Sequence, residues 1–363
     1  MDAGKPKSPG RGGHLEPNGN RPLVGPARAH GISDGALLGS DGVLPKDLKV
    51  AFHSHGLTLR GSEVALLDYA VHNQTILGNH SLILVQDRPG LSENAVYRVW
   101  REKVRCLVYQ SGRELPKRLA EEGVEVLYQI KPGRDDGFVV PGVRNCIHAM
   151  FPESEFHGDV YVYVSPWLSQ VMTGRATRCV PHLVPRLESQ VNLRAELGIP
   201  ETAKVFGRHG AADTFNIPWV QGTVIRHARG HPEDHFVFLN TGVFAGANAH
   251  KNIHFLPATP DERQKAKFLA TCDAMLHARW HGETFGLAVG EFAVLGKPVI
   301  TFTGSRERAH LEFLGDQALG YQNAHALEKI LTSFQPFRAG ATGYGPWADP
   351  RQVMEIFQDR FLS

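Results

Sequence analysis

Two glutamates eight residues apart bracket the start of a helix in residues 273–302, DAMLHARWHGETFGLAVGEFAVLGKPVITF. Glu283 stands just before Gly286, where a helix can begin, and Glu291 lies about two turns into it. Leu287, Phe292, Val294 and Leu295 give that helix an apolar face, and Gly296 with Pro298 stops it. Thr284 leads into Phe285, Gly286 and Leu287, whose free N–H groups would face an anion, because a helix N-terminus carries partial positive charge. One pocket would then pair phosphate-binding amides with carboxylates that accept hydrogen bonds from hydroxyls. Two glutamates at this spacing, taken alone, are more often a solvated helix face.

Three other places have the residue types for the same chemistry. KVFGRHG (204–210) runs a strand into a turn and presents Arg208, whose fixed fork of donors suits phosphate oxygens. RNCIHAMF (144–151) carries His148 near a strand end. Arg60, Gly61, Ser62 and Glu63 open a long helical stretch, where a glycine lets backbone amides approach a ligand closely. An ordinary helix start capped by Ser62 explains that segment equally well.

These residues need strands and helices that alternate, and the sequence supplies them. LKVAFHS, HSLILVQ, CLVYQ, EVLYQI, NCIHAM and VYVYVS read as strands, with helices predicted over 61–77 and 93–103. The pattern pauses near 180–200, which holds three prolines, then resumes with KVFGRHG, HFVFLNTG, NIHFLP, AMLHAR and PVITF. Helices are predicted over 260–271, 285–295 and 350–362. Alternation of this kind means βαβ units and parallel sheets in an α/β chain. The expected division is a Gly/Pro-rich disordered tail over 1–46, one α/β domain over 47–185, a second over 186–345, and a last helix within 346–363 that packs back on the first domain.

HGETFGLAVGEFAVLGKPVI resembles the Glu-x7-Glu signature of the retaining glycosyltransferases of family four, which have the GT-B fold. The resemblance covers nearly all of the chain after residue 47 and is strongest over 250–302. It implies two Rossmann-like parallel-sheet domains facing a cleft, with a nucleotide-diphosphate sugar on the second and the acceptor hydroxyl on the first. By resemblance Glu283 binds donor-sugar hydroxyls and Glu291 the ribose, while Thr284, Phe285, Gly286 and Leu287 form the segment at the donor phosphate. Arg208 falls on the diphosphate, His148 on the transferring sugar, and Gly61 with Ser62 on the acceptor or phosphate side. Two departures stand out. The usual paired glycines read Arg60-Gly61, and the lysine expected five residues after Arg208 is Asp213. Arg226, Lys251 or Arg279 could supply the missing cation, or the leaving phosphate is less well stabilised. A non-catalytic GT-B scaffold and a nucleotide-sugar epimerase are the competing readings.

Composition sets the remaining bounds. With 39 basic and 37 acidic residues the net charge is +2, which gives no reason to expect nucleic acid as a partner. Cys106, Cys146, Cys179 and Cys272 form no CxxC pair, so neither a zinc site nor a disulfide framework is expected. The chain has no Asp-x-Asp, and its histidine pairs lack the carboxylate context of zinc motifs. The expectation is metal-independent transfer with no cofactor, the nucleotide sugar being a co-substrate. No apolar run reaches the roughly 18 residues of a membrane span, and residues 1–22 lack an apolar h-region, so a cytoplasmic protein is expected. Tyr97, Trp100, Arg101, Lys103 and Arg105 mix aromatics with cations, a pattern suited to peripheral contact with anionic lipid. A chain starting at Leu48 should keep full solubility and turnover, since the tail has too few apolar residues to pack. Insolubility or inactivity of that truncation would make the tail part of the fold or the site.

Overall fold

The computed structural model describes residues 47–363, so the expected disordered tail over 1–46 lies outside it. Six strands, β1 (Lys49–Ser54), β2 (His80–Gln86), β3 (Arg105–Tyr109), β4 (Val126–Lys131), β5 (Arg144–Ala149) and β6 (Val160–Tyr163), make one sheet. Their order is β3-β2-β1-β4-β5-β6, and every pairing is parallel. The chain continues with β7 (Val205–His209), β8 (His235–Leu239), β9 (Ile253–Leu256), β10 (Ala274–His277), β11 (Gly282–Glu283), β12 (Val299–Phe302), β13 (Glu307–Arg308) and β14 (Ala318–Tyr321). Of these, β14-β12-β10-β7-β8-β9 form a second all-parallel sheet, and β11 pairs with β13 beside it.

Counted from its own first strand, each sheet has the order 3-2-1-4-5-6, that of a dinucleotide-binding Rossmann sheet. The fold is therefore α/β with two Rossmann-like units. Parallel neighbours need crossovers, and helices supply most of them: α1 (Gly61–Thr75), α2 (Ala95–Lys103) and α3 (Leu115–Glu122) in the first sheet, and α6 (Pro218–Gly230), α7 (Glu262–Thr271), α8 (Leu287–Val294) and α9 (Ala309–Leu314) in the second; α4 (Pro166–Thr173) and α5 (Arg194–Leu197) lie between the sheets, and α10 (Ala324–Ser333) follows the last strand. The strand order reverses between β1 and β4, and again between β7 and β10. Loops leave in opposite directions there, opening a crevice at the carboxyl ends. Arg208 and His209 close β7 and His277 closes β10, so the second crevice is polar.

Strands buried on both faces show as continuous apolar runs, which is why most were legible. The exceptions are the two-residue β11 and β13 and the edge strand β14, ALGY, which is half-exposed. The helices α6 and α10 were also not foreseen, and no range was predicted for the short α3, α4 and α9. Helix α6 starts at Pro218 and contains Gly222 and two histidines or arginines per turn near its end, which blurs its period.

After the second sheet the chain returns. Helix α11 (Pro350–Phe357) packs on α1, and residues 358–362 continue it as a wider π-type turn. The Phe357 ring lies 5.0 Å from Tyr69, 5.1 Å from Tyr128 and 6.3 Å from Phe52, all in the core of the first unit. Phe357→Ala should cost about 3–5 kcal/mol through the cavity it leaves. A denaturant titration showing less than about 1 kcal/mol of loss would mean that the returning helix is not part of that core.

Candidate functional site

A cavity of about 370 Å³ opens between the two units. Arg60, Gly61, Ser62, Glu63 and Asp68 line it from the first. From the second come Arg208, Arg279, Glu283, Glu291, and the run Thr284, Phe285, Gly286 and Leu287. Every expected site residue except His148 is thus brought to one place.

The start of α8 is built from outside. Gly286 has φ of +85°, a left-handed conformation that disfavours a Cβ, and a Cβ there would also stand 2.9 Å from the Tyr344 hydroxyl. That hydroxyl donates to the Phe285 carbonyl at 2.6 Å, and Ser165 Oγ donates to the Thr284 carbonyl at 2.5 Å. Because a peptide is planar and trans, the N–H groups of Phe285 and Gly286 point away from those carbonyls. No side chain caps this helix, and none caps α1, whose first residues lie opposite: a Cβ on Gly61 would be 3.9 Å from Leu287 Cβ. Ser62 does not cap α1; its hydroxyl donates to Glu63 at 2.7 Å. Two helix N-termini from different units therefore face one cavity with amides to spare.

Both glutamates are held as anions. Burial would raise the Glu283 pKa, but the Arg279 guanidinium, 2.6 Å away, and His277 outweigh it and hold the carboxyl at about 2. His277 Nε2 is 3.2 Å from Glu283 and its Nδ1 is 2.9 Å from Thr301 Oγ1. Since a carboxylate only accepts, Nε2 carries the proton. For Glu291, burial is again outweighed, here by Lys265 at 2.6 Å and by His209, and its pKa is also about 2. His209 Nε2 stands 2.8 Å from Glu291 Oε2. Each carboxylate has about four acceptor sites, and each keeps at least one for a hydroxyl.

Arg208 is buried and its two terminal nitrogens are committed, which leaves its Nε–H without a hydrogen bond among the described residues. It donates to the carbonyls of Asn240 at 3.3 Å and Ala211 at 2.8 Å, and to the hydroxyls of Thr241 and Thr214. Burial lowers its pKa to about 10, which leaves it charged at neutral pH.

His148 is a correction. The side chain is fully buried and does not reach the cavity. Its Nε2 lies 2.9 Å from the Val180 carbonyl, so Nε2 carries the proton, and Nδ1 accepts from the Tyr128 hydroxyl at 2.6 Å. Burial, with His182 nearby, keeps the ring neutral far below its ordinary pKa. Both nitrogens are spent on the core, and the histidine that lines the cavity from this side is His182. The mixed aromatic and basic residues at the end of α2 and the start of β3 are partly spent on the fold. Trp100 is buried, Lys103 pairs with Glu262 at 3.0 Å and Arg105 with Glu122 at 2.5 Å, while Arg101 is exposed and Tyr97 half-buried. No helix among the described residues is long and apolar enough to cross a membrane.

Of the cations considered in place of Asp213, Arg279 lines the cavity, whereas Arg226 bonds Thr223 on α6 and Lys251 lines a separate surface groove. Sequence reasoning missed Lys265, which has no motif of its own, and Asp68 on α1. Among the histidines, His227 and His231 do meet a carboxylate, Asp234, with ligand atoms within 4.8 Å. Lys204 lies 3.2 Å from Asp234, and the two His227 nitrogens already face Asp234 at 3.0 Å and Glu328 at 2.8 Å.

No family model and no curated protein matches the sequence. Solved structures do match. HepE from Anabaena, solved in complex with UDP-glucose, superposes with a TM-score of 0.61 at 14% identity over 86% of this chain and 95% of its own. WaaG, a glycosyltransferase involved in lipopolysaccharide biosynthesis, gives 0.52 at 12% over 86% and 96%. The UDP-GlcNAc 2-epimerase of Neisseria meningitidis, bound to UDP-GlcNAc, gives 0.54 at 11% over 86% and 100%. The fold is GT-B. Within the GT-B frame the cavity described above occupies the cleft between the two Rossmann-like units.

Asp68 offers a test of the cleft electrostatics. Burial, opposed by Lys265 and reinforced by Glu262 and Glu291, raises its pKa to about 7, and its Oδ2 has no hydrogen-bond donor. A carboxyl raised in the folded state stabilises below its unfolded pKa, and that contribution is lost as pH rises through about 7. Asp68→Asn should therefore match the wild-type Tm near pH 4 and exceed it at pH 8. A constant difference across that range would refute the raised pKa.

Proposed function

We propose that this chain transfers a sugar from a nucleotide-diphosphate donor to an acceptor hydroxyl, with retention at the anomeric carbon. One observation carries the reading: a single cleft joins two uncapped helix N-termini and a fixed arginine to two ionised carboxylates with spare acceptor sites. The first group suits a diphosphate, and the carboxylates suit the hydroxyls on either side of it.

In this reading Glu283 receives hydroxyls of the donor sugar, and Glu291, which lines the same cavity, receives those of the ribose. Arg208 and the amides of Phe285, Gly286 and Leu287 stabilise the charge that grows on the departing phosphate, and Thr284 positions that run. Residues 186–345 form the donor side and residues 47–185 the acceptor side, with Gly61 and Ser62 at the junction. His182, not His148, is the histidine available to the transferring group.

Two first-side carboxylates line the cleft. Glu63 accepts from Ser54, Thr58 and Ser62, and Asp68 sits among Lys265, Glu262 and Glu291. Glu63 is engaged by three hydroxyls, and the charged neighbours of Asp68 do not include Glu283, so neither is placed as a covalent nucleophile there. Attack on the face the phosphate leaves, with a phosphate oxygen taking the acceptor's proton, fits that arrangement. The reading calls on no metal and no cofactor. An epimerase is the second reading, favoured by structural likeness to the Neisseria enzyme.

A panel of UDP-, GDP-, ADP- and TDP-sugars should include one that stabilises the protein, by about 2.7 kcal/mol at 100 times its Kd. Product analysis with that donor should show a new glycoside with retained configuration, not a C2 epimer. Glu283→Gln should keep the fold and lose at least about 100-fold in turnover, a loss of roughly 2.7 kcal/mol in transition-state stabilisation. Near-normal turnover would remove Glu283 from the donor site.

A further inference from the structure

Arg60 and Asp213 meet across the cleft. Arg60 Nη2 lies 3.2 Å from both carboxylate oxygens of Asp213, joining the residue before α1 to the loop after β7. Arg60 lines the cavity next to the uncapped amides of α1.

The other cations there are not free to move. Arg208 makes four hydrogen bonds, Arg279 is bound to Glu283, and Lys265 is bound to buried Glu291. Arg60 differs, because its side chain is 54% exposed and its partner's 67%, and exposed pairs of this kind contribute little to stability. Its other guanidinium donors make no hydrogen bond among the described residues. It is a cation held in place at little cost to release.

Resting on the donor reading above, we infer that Arg60 is the exchangeable ligand of the donor's terminal phosphate. The guanidinium leaves Asp213 for the phosphate oxygens when the nucleoside diphosphate enters between α1 and α8. Asp213 holds it aimed at the cleft when the site is empty. Asp213 thereby competes with the ligand: it is a carboxylate standing where a phosphate will arrive, and its own charge opposes that arrival. The first unit, not only the second, then binds the leaving group.

Calorimetry tests this with UDP, GDP, ADP and TDP and, for whichever binds tightest, its monophosphate. Arg60→Ala should lower diphosphate affinity at least 10-fold and monophosphate affinity less than 3-fold, with Arg60→Lys between. Asp213→Asn should leave diphosphate affinity unchanged or raise it. Arg208→Ala serves as the control that must lose affinity. If Arg60→Ala leaves diphosphate affinity intact while Arg208→Ala loses it, the inference fails and the donor reading stands. Equal losses of mono- and diphosphate, or an Asp213→Asn loss as large as that of Arg60→Ala, would make the pair a structural latch and overturn the inference. Binding of none of the four diphosphates by the wild-type protein would overturn the donor reading itself.

Discussion

The site depends on two carbonyls being tied back. Ser165 holds the oxygen of Thr284 and Tyr344 holds that of Phe285, and the planar peptides then aim the following N–H groups the other way. Neither anchor belongs to the helix it orients. Ser165 caps α4 behind the first sheet, and Tyr344 precedes the returning helix α11. The left-handed Gly286 makes this possible, and Gly282 just upstream is as constrained: at φ +82° a Cβ would stand 1.9 Å from the Glu307 carbonyl. Between those two glycines Glu283 is held in the short β11–β13 ladder, facing the cavity.

Charge is balanced before any ligand arrives. Arg279 and His277 meet Glu283, while Lys265 meets Glu291, and each partner comes from a different position in the chain. Buried pairs of this sort add little net stability, but removing one partner strands the other's charge at a cost of about 3–5 kcal/mol. Such pairs therefore stay together. What they provide is two carboxylates that remain anionic well below neutral pH and accept hydrogen bonds without first losing a proton.

Much of this was legible in the sequence, for a physical reason. Parallel strands buried on both faces leave runs such as VAFH, SLILV and VITF, and those alternate with helices in a countable way. Glu283 and Glu291 were legible because a local motif, a glycine and a helix start fix their relation. Lys265 and the pairings of Lys103 and Arg60 were not, because their partners are distant in sequence. Lys103 finds Glu262 at a separation of 159 residues, and Arg60 finds Asp213 at 153. The two positions that depart from the resemblance turn out to pair with each other, which no local pattern could announce. His148 failed for another reason. Along a strand successive side chains point to opposite faces, and the sequence does not say which face meets the cleft. Its register beside Ile130 and Val162 turns it toward Tyr128 and Tyr69 instead.

The contacts between the two units divide into kinds of unequal strength. Arg60–Asp213 and Lys103–Glu262 are exposed ion pairs, each worth about 0–1 kcal/mol. At the start of α8 the contacts are buried: the Ser165 and Tyr344 hydrogen bonds, and His182 with its ring 5.1 Å from Phe285. The two passages of the chain between the units run side by side there as well, since Val184 N–H donates to the Trp347 carbonyl at 2.9 Å. Relative movement of the units is therefore least costly as a pivot about residues 184 and 347. Such a pivot breaks the two exposed ion pairs and keeps the buried bonds. It leaves the amides of Phe285 and Gly286 aimed as they are while Arg60 and the α1 N-terminus move. The start of α8 is thus tied to the first unit by buried bonds, and the α1 rim of the cleft is tied to the second by exposed ones.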